Sequence, residues 1–379
     1  MKTSAIICEY NPFHNGHKFQ IDTARSLTGC DAVVALMSGN FVQRGDFALF
    51  PKNIRAKAAL LGGADLILEN HTVSVLRSAE GYASAAVYTL SALGCVDFLV
   101  FGAECEDIGL LTKIAQLLLS ENEIFRNTLS YELSRGLSYA AARGKAIGKI
   151  LGNSAEGIIK QPNNILAIEY IKAIIKQGSS IKPIVIKRTG AGHNSDTASG
   201  NIASASYIRD KFIRDRQSTF DFIPQATSRL YFKSPYFSPD SADKSILSHL
   251  CISKASEIAS APDISEGLEN KIKTETMQQS TLTDLITAVK SKRYAYSRIR
   301  RAILCSYLKI TKEDVQRMPE YIKILDFNQK GQAVLNAAKK TCTVPLAKNA
   351  SILLKNNSAM ELWKRELAFD RAYEIFMQK

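Results

Sequence analysis

Short apolar runs alternate with helical segments along the first two hundred residues, and this alternation constrains the fold more than any other feature. The runs begin at residues 5–8 and 32–37 and continue through ADLILE, CVDFLVFGAEC and IKPIVIKR. Between successive runs, the spacing of apolar residues is typical of helices. The sequence therefore predicts an α/β domain with a Rossmann-like parallel sheet that is covered by helices on both faces.

Polar turns follow four of these five predicted strands. In a parallel sheet the carboxyl ends of the strands meet at one edge, and ligands bind in the crevice outside that edge. We therefore expect the side chains of these turns to converge on a single site. They are His14 and His17 after the first strand, residues 38–40 after the second, Gly102 and Glu104 after the fourth, and Arg188 after the fifth.

The turn NPFHNGH, residues 11–17, separates the first strand from a predicted helix. A helix that begins there directs unpaired backbone N–H groups and a partial positive charge at the turn, an arrangement that binds phosphate. Gly16 would allow close approach of an oxyanion, and His14 and His17 would lie on one side of the first helical turn. Such preorganised donors are worth about 3–4 kcal/mol each in a transition state. The alternative is an exposed turn, because His-x-x-His alone is a common pattern.

The positive charge of the chain is concentrated near its end. Residues 281–379 hold 19 lysines and arginines against nine aspartates and glutamates, whereas residues 1–280 hold 30 against 27. A basic surface suggests a polyanionic partner, although a lysine-rich helical surface can also serve solubility. We predict an α/β domain over residues 1–215, a linker with three prolines over 216–240, and a basic, mostly helical domain over 241–379.

The composition disfavours several other classes of protein. Seven cysteines at scattered spacing predict neither a disulfide framework nor a zinc site, and no dedicated metal site is expected. No apolar stretch approaches the roughly 20 residues that a membrane helix needs. The first residues lack the apolar segment of a signal peptide, so we expect a cytoplasmic protein without a membrane partner.

Two motifs resemble the signatures of the HIGH-type nucleotidyltransferase superfamily. HNGH fits the first signature letter for letter, and SASYIR, residues 204–209, resembles the second, which holds the triphosphate. A finer resemblance, to the tRNA(Met) cytidine acetate ligase family, is carried by EYNPFHNGH, MSGNFVQRG, FGAE, PNNIL, IKRTGAGH, IASASYIR and KRYAYSRIRR. The family pattern Glu-Leu-Pro after the third strand is replaced here by Glu69-Asn70-His71-Thr72. We expect this departure to affect the substrate side of the pocket and not the nucleotide site.

The resemblance implies a reaction in two steps. Acetate attacks the α-phosphorus of ATP, and the exocyclic amine of the wobble cytidine in elongator tRNA(Met) then takes the acetyl group from acetyl-adenylate. ATP is the expected nucleotide substrate, with Mg²⁺ bound to its triphosphate, and acetate and elongator tRNA(Met) are the expected partners. Two alternatives remain at this point: an adenylyltransferase for a small cofactor precursor, and a non-catalytic RNA-binding protein.

The resemblance also implies which residues bind ATP, with His14 and His17 as the catalytic pair. Gly102 would lie against the adenosine, or serve as an ordinary turn glycine. Arg209, and Arg188 unless it forms a surface salt bridge, would hold phosphates. The full expected set is Ile7, Cys8, Glu9, Tyr10, Asn11, Pro12, Phe13, His14, Asn15, Gly16, His17, Lys18, Phe19, Gln20, Gly102, Asn163, Asn164, Arg188, Ser204, Ser206 and Arg209.

Several residues around this site have alternative structural roles. Asn163 or Asn164 could read the ribose or adenine edges, or cap a helix. Glu104 could be a general base, a magnesium ligand or a plain surface carboxylate. Arg44 could contact substrate or pair with Asp46. Ser204 or Ser206 could cap the helix that carries Arg209.

In the basic segment SKRYAYSRIRR, the resemblance implies contacts to tRNA. Arginines can hold phosphates while tyrosines stack on unpaired bases. The alternative is an amphipathic helix packed on a core, and we expect both roles on different faces of one helix. The expected tRNA-binding residues are Lys292, Arg293, Tyr294, Arg298, Arg300 and Arg301.

Overall fold

A computed structural model describes residues 1–188, 200–291 and 293–378 of the chain. Lys292 and most of the IKRTGAGH motif therefore lie outside the described residues. The strands are β1 (Thr3–Cys8), β2 (Ala32–Ser38), β3 (Phe41–Val42), β4 (Asp46–Phe47), β5 (Leu66–Asn70), β6 (Phe98–Ala103), β7 (Lys182–Lys187), β8 (Tyr236–Phe237), β9 (Ile322–Phe327), β10 (Leu346–Ala347) and β11 (Met377–Gln378).

Helices join and cover these strands. They are α1 (Asn15–Thr28), α2 (Lys52–Leu61), α3 (Thr72–Val75), α4 (Ala79–Leu93), α5 (Ile108–Leu119), α6 (Glu123–Ser134), α7 (Tyr139–Leu151), α8 (Asn153–Ile158), α9 (Pro162–Lys176), α10 (Ala205–Arg214), α11 (Gln225–Phe232), α12 (Asp243–Ile252), α13 (Ala255–Ala259), α14 (Leu268–Thr276), α15 (Leu282–Val289), α16 (Tyr296–Tyr307), α17 (Gln329–Thr341) and α18 (Asn357–Glu374). Short 3₁₀ helices lie at Gln217–Phe222, Pro239–Ser241, Asp314–Gln316 and Ala350–Leu353.

The main sheet confirms the predicted Rossmann-like α/β fold. Within the described residues its strand order is β10-β9-β5-β2-β1-β6-β7, and every pair is parallel except β5 with β9. The five predicted strands are β1, β2, β5, β6 and β7, and all occupy this sheet. Their carboxyl ends lie at one edge, where the polar turns meet.

Strand alternation explains why the apolar runs are nearly continuous. On β2, Val34 and Leu36 pack into the core formed with α4 and α9, whereas Val33 and Met37 pack into the core on the opposite face. Both faces of the strand are buried, so apolar side chains are favoured on both of them. The alternation along each strand thereby determines towards which face of the sheet the side chain after the strand end is directed.

The C-terminal part differs from the prediction of a mostly helical domain beginning at residue 241. β9 and β10 extend the N-terminal sheet, and α17 packs against β2, β5 and α4. The helical core proper is formed chiefly by α12, α14, α15 and α16. The sequence YIKILDF does not reveal that the chain returns to the N-terminal sheet as β9, because a short apolar run has no periodicity that distinguishes a buried strand from a buried helix.

The predicted linker also differs from a structureless connection. Residues 216–240 contain α11 and β8, and the fully buried ring of Tyr231 stacks on Phe50 at 4.3 Å. The Tyr231 hydroxyl accepts a hydrogen bond of 2.9 Å from the Phe13 backbone N–H. Pro224 and Pro239 stand at the starts of α11 and of the 3₁₀ helix Pro239–Ser241, so these prolines begin short elements instead of marking free chain.

Candidate active site

Two histidines cap the N-terminus of α1 reciprocally. His14 Nδ1 accepts a hydrogen bond of 3.1 Å from the Gly16 N–H, and His17 Nδ1 accepts one of 3.3 Å from the His14 N–H. From this hydrogen-bond network we assign the neutral tautomer in which each ring carries its hydrogen on Nε2. In each ring, Nδ1 therefore accepts a hydrogen bond from the protein, and the Nε2–H donor is available for a ligand.

The electrostatics of the pair favour the neutral form. The rings stack with their centroids 3.7 Å apart and their planes inclined by 24°. Burial is the main cause that lowers the pKa of His14 to about 3, and the guanidinium groups of Arg188 and Arg209 add to the shift. Burial, then His14 and Arg188, holds the pKa of His17 well below its ordinary value. At neutral pH the two rings are uncharged hydrogen-bond donors inside a positive environment.

Gly16 is required at this position for a local steric reason, which differs from the predicted one. A Cβ atom on Gly16 would lie 2.9 Å from Cε1 of His14, closer than real side chains come. Gly16 is thus needed for the His14 ring to fold back over the helix end. The expected close approach of an oxyanion at this glycine stays a prediction.

The loop before α1 is fixed by side chains from distant parts of the chain. Arg209 Nη1 donates a hydrogen bond of 2.8 Å to the carbonyl of Asn11. Asn15 Nδ2 donates to the carbonyls of Asn201 and Asp221 at 3.0 and 2.9 Å. These contacts bring the segment before α10 against the first turn of α1.

The second predicted motif forms a second helix N-terminus beside the first. Ser204 Oγ accepts a hydrogen bond of 3.1 Å from the Tyr207 N–H, which confirms the predicted cap, and lies 3.0 Å from Ser206 Oγ. Arg209 is partly buried, and burial lowers its pKa while Asp46 and Glu9 oppose that shift. Two helix N-termini and an arginine therefore border the same end of the sheet, which favours an anionic ligand.

Gly102 on β6 and Arg188, which directly follows the neighbouring strand β7, lie side by side. The Arg188 N–H donates a hydrogen bond of 2.9 Å to the carbonyl of Ala103. A Cβ on Gly102 would approach Cγ of Arg188 to 3.2 Å, so the glycine leaves room for the arginine stem. Arg188 is exposed, and its charge contributes to the low pKa of both histidines.

Glu104, Asn163 and Asn164 form a tight cap at the start of α9. Glu104 Oε1 accepts from Asn163 Nδ2 at 2.6 Å, and Oε2 accepts from the Asn164 N–H at 2.9 Å. The Asn164 amide is buried and binds the Cys105 N–H and the Ile158 carbonyl. This geometry favours the structural alternatives for Glu104 and Asn164 over direct contact with a ligand.

Other expected ATP-binding residues are distributed around the loop. Cys8 is buried, and burial raises the pKa of its thiol. Lys18 and Phe19 are exposed, and Lys18 pairs with Asp22 at 2.8 Å on the outer side of α1. Tyr10 packs on His17 with ring centroids 4.8 Å apart and so supports the histidine pair.

The basic segment corrects the prediction of a base-stacking tyrosine. Tyr294 is only 8% exposed, and its hydroxyl donates a hydrogen bond of 2.7 Å to the Ser265 carbonyl. Arg298 lies over the Tyr294 ring at 4.8 Å and donates to the Asp263 carbonyl at 2.9 Å. Tyr294 is therefore unable to stack on an RNA base in this conformation, because it belongs to the helical core.

Two further arginines of the same segment bind the protein itself. Arg301 is 7% exposed, and its Nε and Nη2 donate to Asp263 Oδ2 at 2.9 and 2.7 Å. Arg300 forms an ion pair with Asp46, so the observed partner of Asp46 is Arg300 and not Arg44, the partner that the sequence offered. Arg293 alone among the described members of the set lies largely in solvent, with a distant contact to Glu266.

Sequence analysis missed a buried charge cluster at the same sheet edge. Glu69 accepts from Lys52 Nζ at 2.6 Å and contacts Lys323 Nζ at 2.9 Å, and Asp370 contacts Lys52 Nζ at 2.5 Å. Burial opposes ionisation of Glu69, but the two lysines outweigh it and lower the pKa of Glu69 to about 2. Lys323 and Asp370 come from β9 and α18, so only the fold could reveal their meeting.

Neither a cluster of metal ligands nor a membrane-crossing helix is found in the part of the chain that the structure describes. Across residues 1–188, 200–291 and 293–378, no group of three or more His, Cys, Asp or Glu side chains is arranged to hold a metal ion. Among the helices of those same ranges, none combines the length and the hydropathy of a membrane-crossing helix.

Comparisons with known proteins agree with this geometry. The family model described as HIGH Nucleotidyl Transferase matches residues 1–379. The tRNA(Met) cytidine acetate ligase of Clostridium kluyveri is 38% identical, with 98% of both chains covered, and that of Thermoanaerobacter sp. is 39% identical, with 98% of this chain and 94% of the relative covered.

Solved structures of a Thermotoga maritima relative match over 99% of this chain and 95% of theirs. TmcAL bound with alpha-thio ATP is 30% identical with a TM-score of 0.90, and its apo form is 31% identical with a TM-score of 0.92. Sequence and backbone thus agree over almost the whole length. This chain belongs to the tRNA(Met) cytidine acetate ligase family of HIGH nucleotidyltransferases.

Proposed function

We propose that this protein is an ATP-dependent ligase that acetylates the exocyclic amine of the wobble cytidine in elongator tRNA(Met). The observation that carries the proposal is the neutral, stacked histidine pair at the N-terminus of α1, directly beside the N-terminus of α10. Relatives with the same motifs are named tRNA(Met) cytidine acetate ligase, and a structural relative carries alpha-thio ATP.

The chemistry requires activation before transfer, because acetate is too stable an acyl donor for an aromatic amine. In the first step an acetate oxygen bonds to the α-phosphorus of ATP and pyrophosphate leaves. In the second step the cytidine nitrogen bonds to the carbonyl carbon of acetyl-adenylate, and AMP leaves. Nucleotidyl transfer depends mainly on positioning and on stabilising charge, which a set of preorganised donors can supply.

Each group at the sheet edge has a proposed role in the first step. His14 and His17 donate Nε2–H to phosphate oxygens as negative charge develops there. Arg188 and Arg209 neutralise the triphosphate, and the loop of residues 7–20 with Gly102 and Asn163 surrounds the nucleotide. Mg²⁺ would enter on the triphosphate, bound mainly by phosphate oxygens and water.

Recognition of tRNA is proposed for the basic surface of the C-terminal quarter. Arg293 is available for a phosphate, whereas the buried Tyr294 and Arg301 hold the helical core that presents it. Acetate is the proposed acid, and elongator tRNA(Met) the proposed acceptor.

The direct test incubates the full chain with tRNA(Met), ATP, Mg²⁺ and ¹⁴C-acetate. We expect label in the tRNA that depends on ATP, and none in a matched transcript with uridine at the wobble position. Release of pyrophosphate without labelled tRNA would instead favour an adenylyltransferase for a small molecule. Binding of tRNA without any pyrophosphate release would favour a non-catalytic RNA-binding protein and would refute the proposal.

A further inference from the structure

Glu9 is the carboxylate at the head of the histidine loop, and the nucleotide-binding role proposed for that loop assigns no proton transfer to its side chain. It follows Ala5 and Ile7, whose side chains pack on the sheet face covered by α4 and α9. Burial raises the pKa of the Tyr170 hydroxyl on α9, and the nearby Glu9 carboxylate raises it further. The Glu9 side chain thus faces the carboxyl edge from the side opposite the buried Glu69 cluster.

The position of Glu9 is fixed from two directions. Arg55 Nη1 donates a hydrogen bond of 2.5 Å to the Glu9 carbonyl, and Glu9 Oε1 accepts one of 3.0 Å from the Gln43 N–H. Within the described ranges, Glu9 Oε2 has no hydrogen-bond partner. A half-buried carboxylate with one oxygen held and the other available is arranged to accept a proton from a ligand.

The other titratable groups at this edge are already engaged. Glu104 binds two amides of α9, Glu69 contacts two lysines, and Asp46 pairs with Arg300. Both histidines use Nδ1 to accept backbone N–H groups, so their rings have no acceptor left for a proton. Among the described residues, Glu9 is the group best placed to act as a base.

The surroundings of Glu9 adjust its basicity. Burial raises the pKa of Glu9, and the Gln43 N–H, Arg209 and Arg44 oppose the shift, while Asp46 adds to it. The titratable and charged groups that face it are Arg209 from α10, Arg44 and Asp46 from the β3–β4 hairpin, Arg55 from α2, Tyr82 from α4, Tyr170 from α9 and Cys8 from β1. A carboxylate with a raised pKa accepts a proton more readily than one in water.

We propose that Glu9 is the general base that takes the proton from the cytidine amine during acetyl transfer, an inference that rests on the proposed function. The cytidine nitrogen bonds to the acetyl carbonyl carbon, and the bond between that carbon and the adenylate oxygen breaks. AMP leaves with the bonding electron pair. The proton passes from the nitrogen to Glu9 Oε2 and then to water.

The test separates the two steps of the reaction in the full chain. Acetate-dependent exchange of labelled pyrophosphate into ATP reports the first step, and single-turnover transfer from supplied acetyl-adenylate to tRNA(Met) reports the second. For Glu9→Gln we expect transfer to fall by at least about a hundredfold more than exchange, because general-base catalysis contributes about 10²–10⁴-fold. Glu106→Gln, a surface carboxylate paired with Lys187, is the matched control and should leave both rates unchanged.

The pH profile distinguishes a base from a residue that only supports the loop. In the unsubstituted protein, transfer should slow as the pH falls and Glu9 becomes protonated, and Glu9→Gln should remove this dependence. Glu9→Asp should restore part of the rate. Equal losses of exchange and transfer, or unchanged transfer, would overturn the role of Glu9. Absence of exchange in the unsubstituted protein would instead refute the proposed function itself.

Discussion

The histidine edge of the sheet and the basic helix α16 are both rich in cationic or donor side chains, yet they use these groups differently. At the edge, one ring nitrogen of His14 and of His17 accepts a hydrogen bond from a backbone N–H, and the other is available to donate to a ligand. On α16, Arg300 and Arg301 are engaged with carboxylates of the same chain. Residue type alone therefore does not identify a binding surface. A binding surface is identified by the number of hydrogen-bond donors that have no partner within the protein.

The largest effect is expected at the edge. His14→Asn retains a side-chain oxygen that can accept from the Gly16 N–H but removes the Nε2 donor. We expect acetate-dependent pyrophosphate exchange to fall by about 10³-fold, the loss of about 4 kcal/mol of transition-state stabilisation. His249→Asn, which changes a histidine of α12, serves as the control. Exchange within tenfold of the unsubstituted rate would contradict the role assigned to the edge.

The next effect tests whether α16 is primarily structural. Arg301→Ala removes a buried guanidinium and leaves the partly buried Asp263 carboxylate without its partner, and breaking such a pair costs up to about 3 kcal/mol of unfolding free energy. Urea denaturation measures this loss. In a double-mutant cycle with Asp263→Ala the losses should be clearly less than additive. An Arg301→Ala protein of normal stability and weakened tRNA binding would reverse our interpretation of the segment.

An intermediate effect concerns pH. The folded-state pKa of His14 is about 3, below its ordinary value, so the unfolded chain binds more protons below about pH 6.5 and stability falls as the pH falls. From pH 7 to pH 5 this group contributes a loss of about 2 kcal/mol. His14→Asn should reduce the pH dependence of the unfolding free energy, measured by urea denaturation at each pH, by that amount. Arg301→Ala should not, because a guanidinium stays charged throughout the range.

The smallest effect is expected at Arg293, whose side chain is 80% exposed beside a Glu266 that is 64% exposed. Arg293→Ala should change the unfolding free energy by less than about 0.5 kcal/mol, because such surface pairs are weak. If Arg293 binds a tRNA phosphate, the slope of log affinity against log salt should decrease by about 0.7–0.9. Arg135→Ala, at an exposed arginine that directly follows α6 and lies outside the basic C-terminal quarter, is the comparison. An unchanged slope would remove Arg293 from the proposed tRNA surface.

Local patterns predicted the edge of the sheet well. The apolar runs identified β1, β2, β5, β6 and β7, because strands buried on both faces leave continuous apolar sequence. Ser204 was predictable as a cap because the requirement is local: an oxygen three residues before an unpaired N–H. The His14 and His17 turn was predictable for the same reason, although its reciprocal hydrogen bonds were not.

The errors lie where distant segments meet. Nothing in the sequence around Lys323 shows that it joins Lys52 and Asp370 around Glu69, because those residues are brought together only by the sheet. Tyr294 and Arg298 match the composition of an RNA-binding strip, but their partners Asp263 and Ser265 lie some thirty residues earlier. Composition describes a side chain's capacity for contacts, and packing decides which contact it makes.

The pairing of β9 with β5 has a consequence for how this molecule can be divided. The chain leaves the sheet, builds the helices α10 to α16, and returns to supply the two strands at one margin. A fragment that stops at residue 240 would carry a bare row of amide and carbonyl groups along β5, which invites pairing between molecules. The N-terminal and C-terminal parts of the protein therefore share one sheet, and we expect neither part to fold independently when it is fused to another protein.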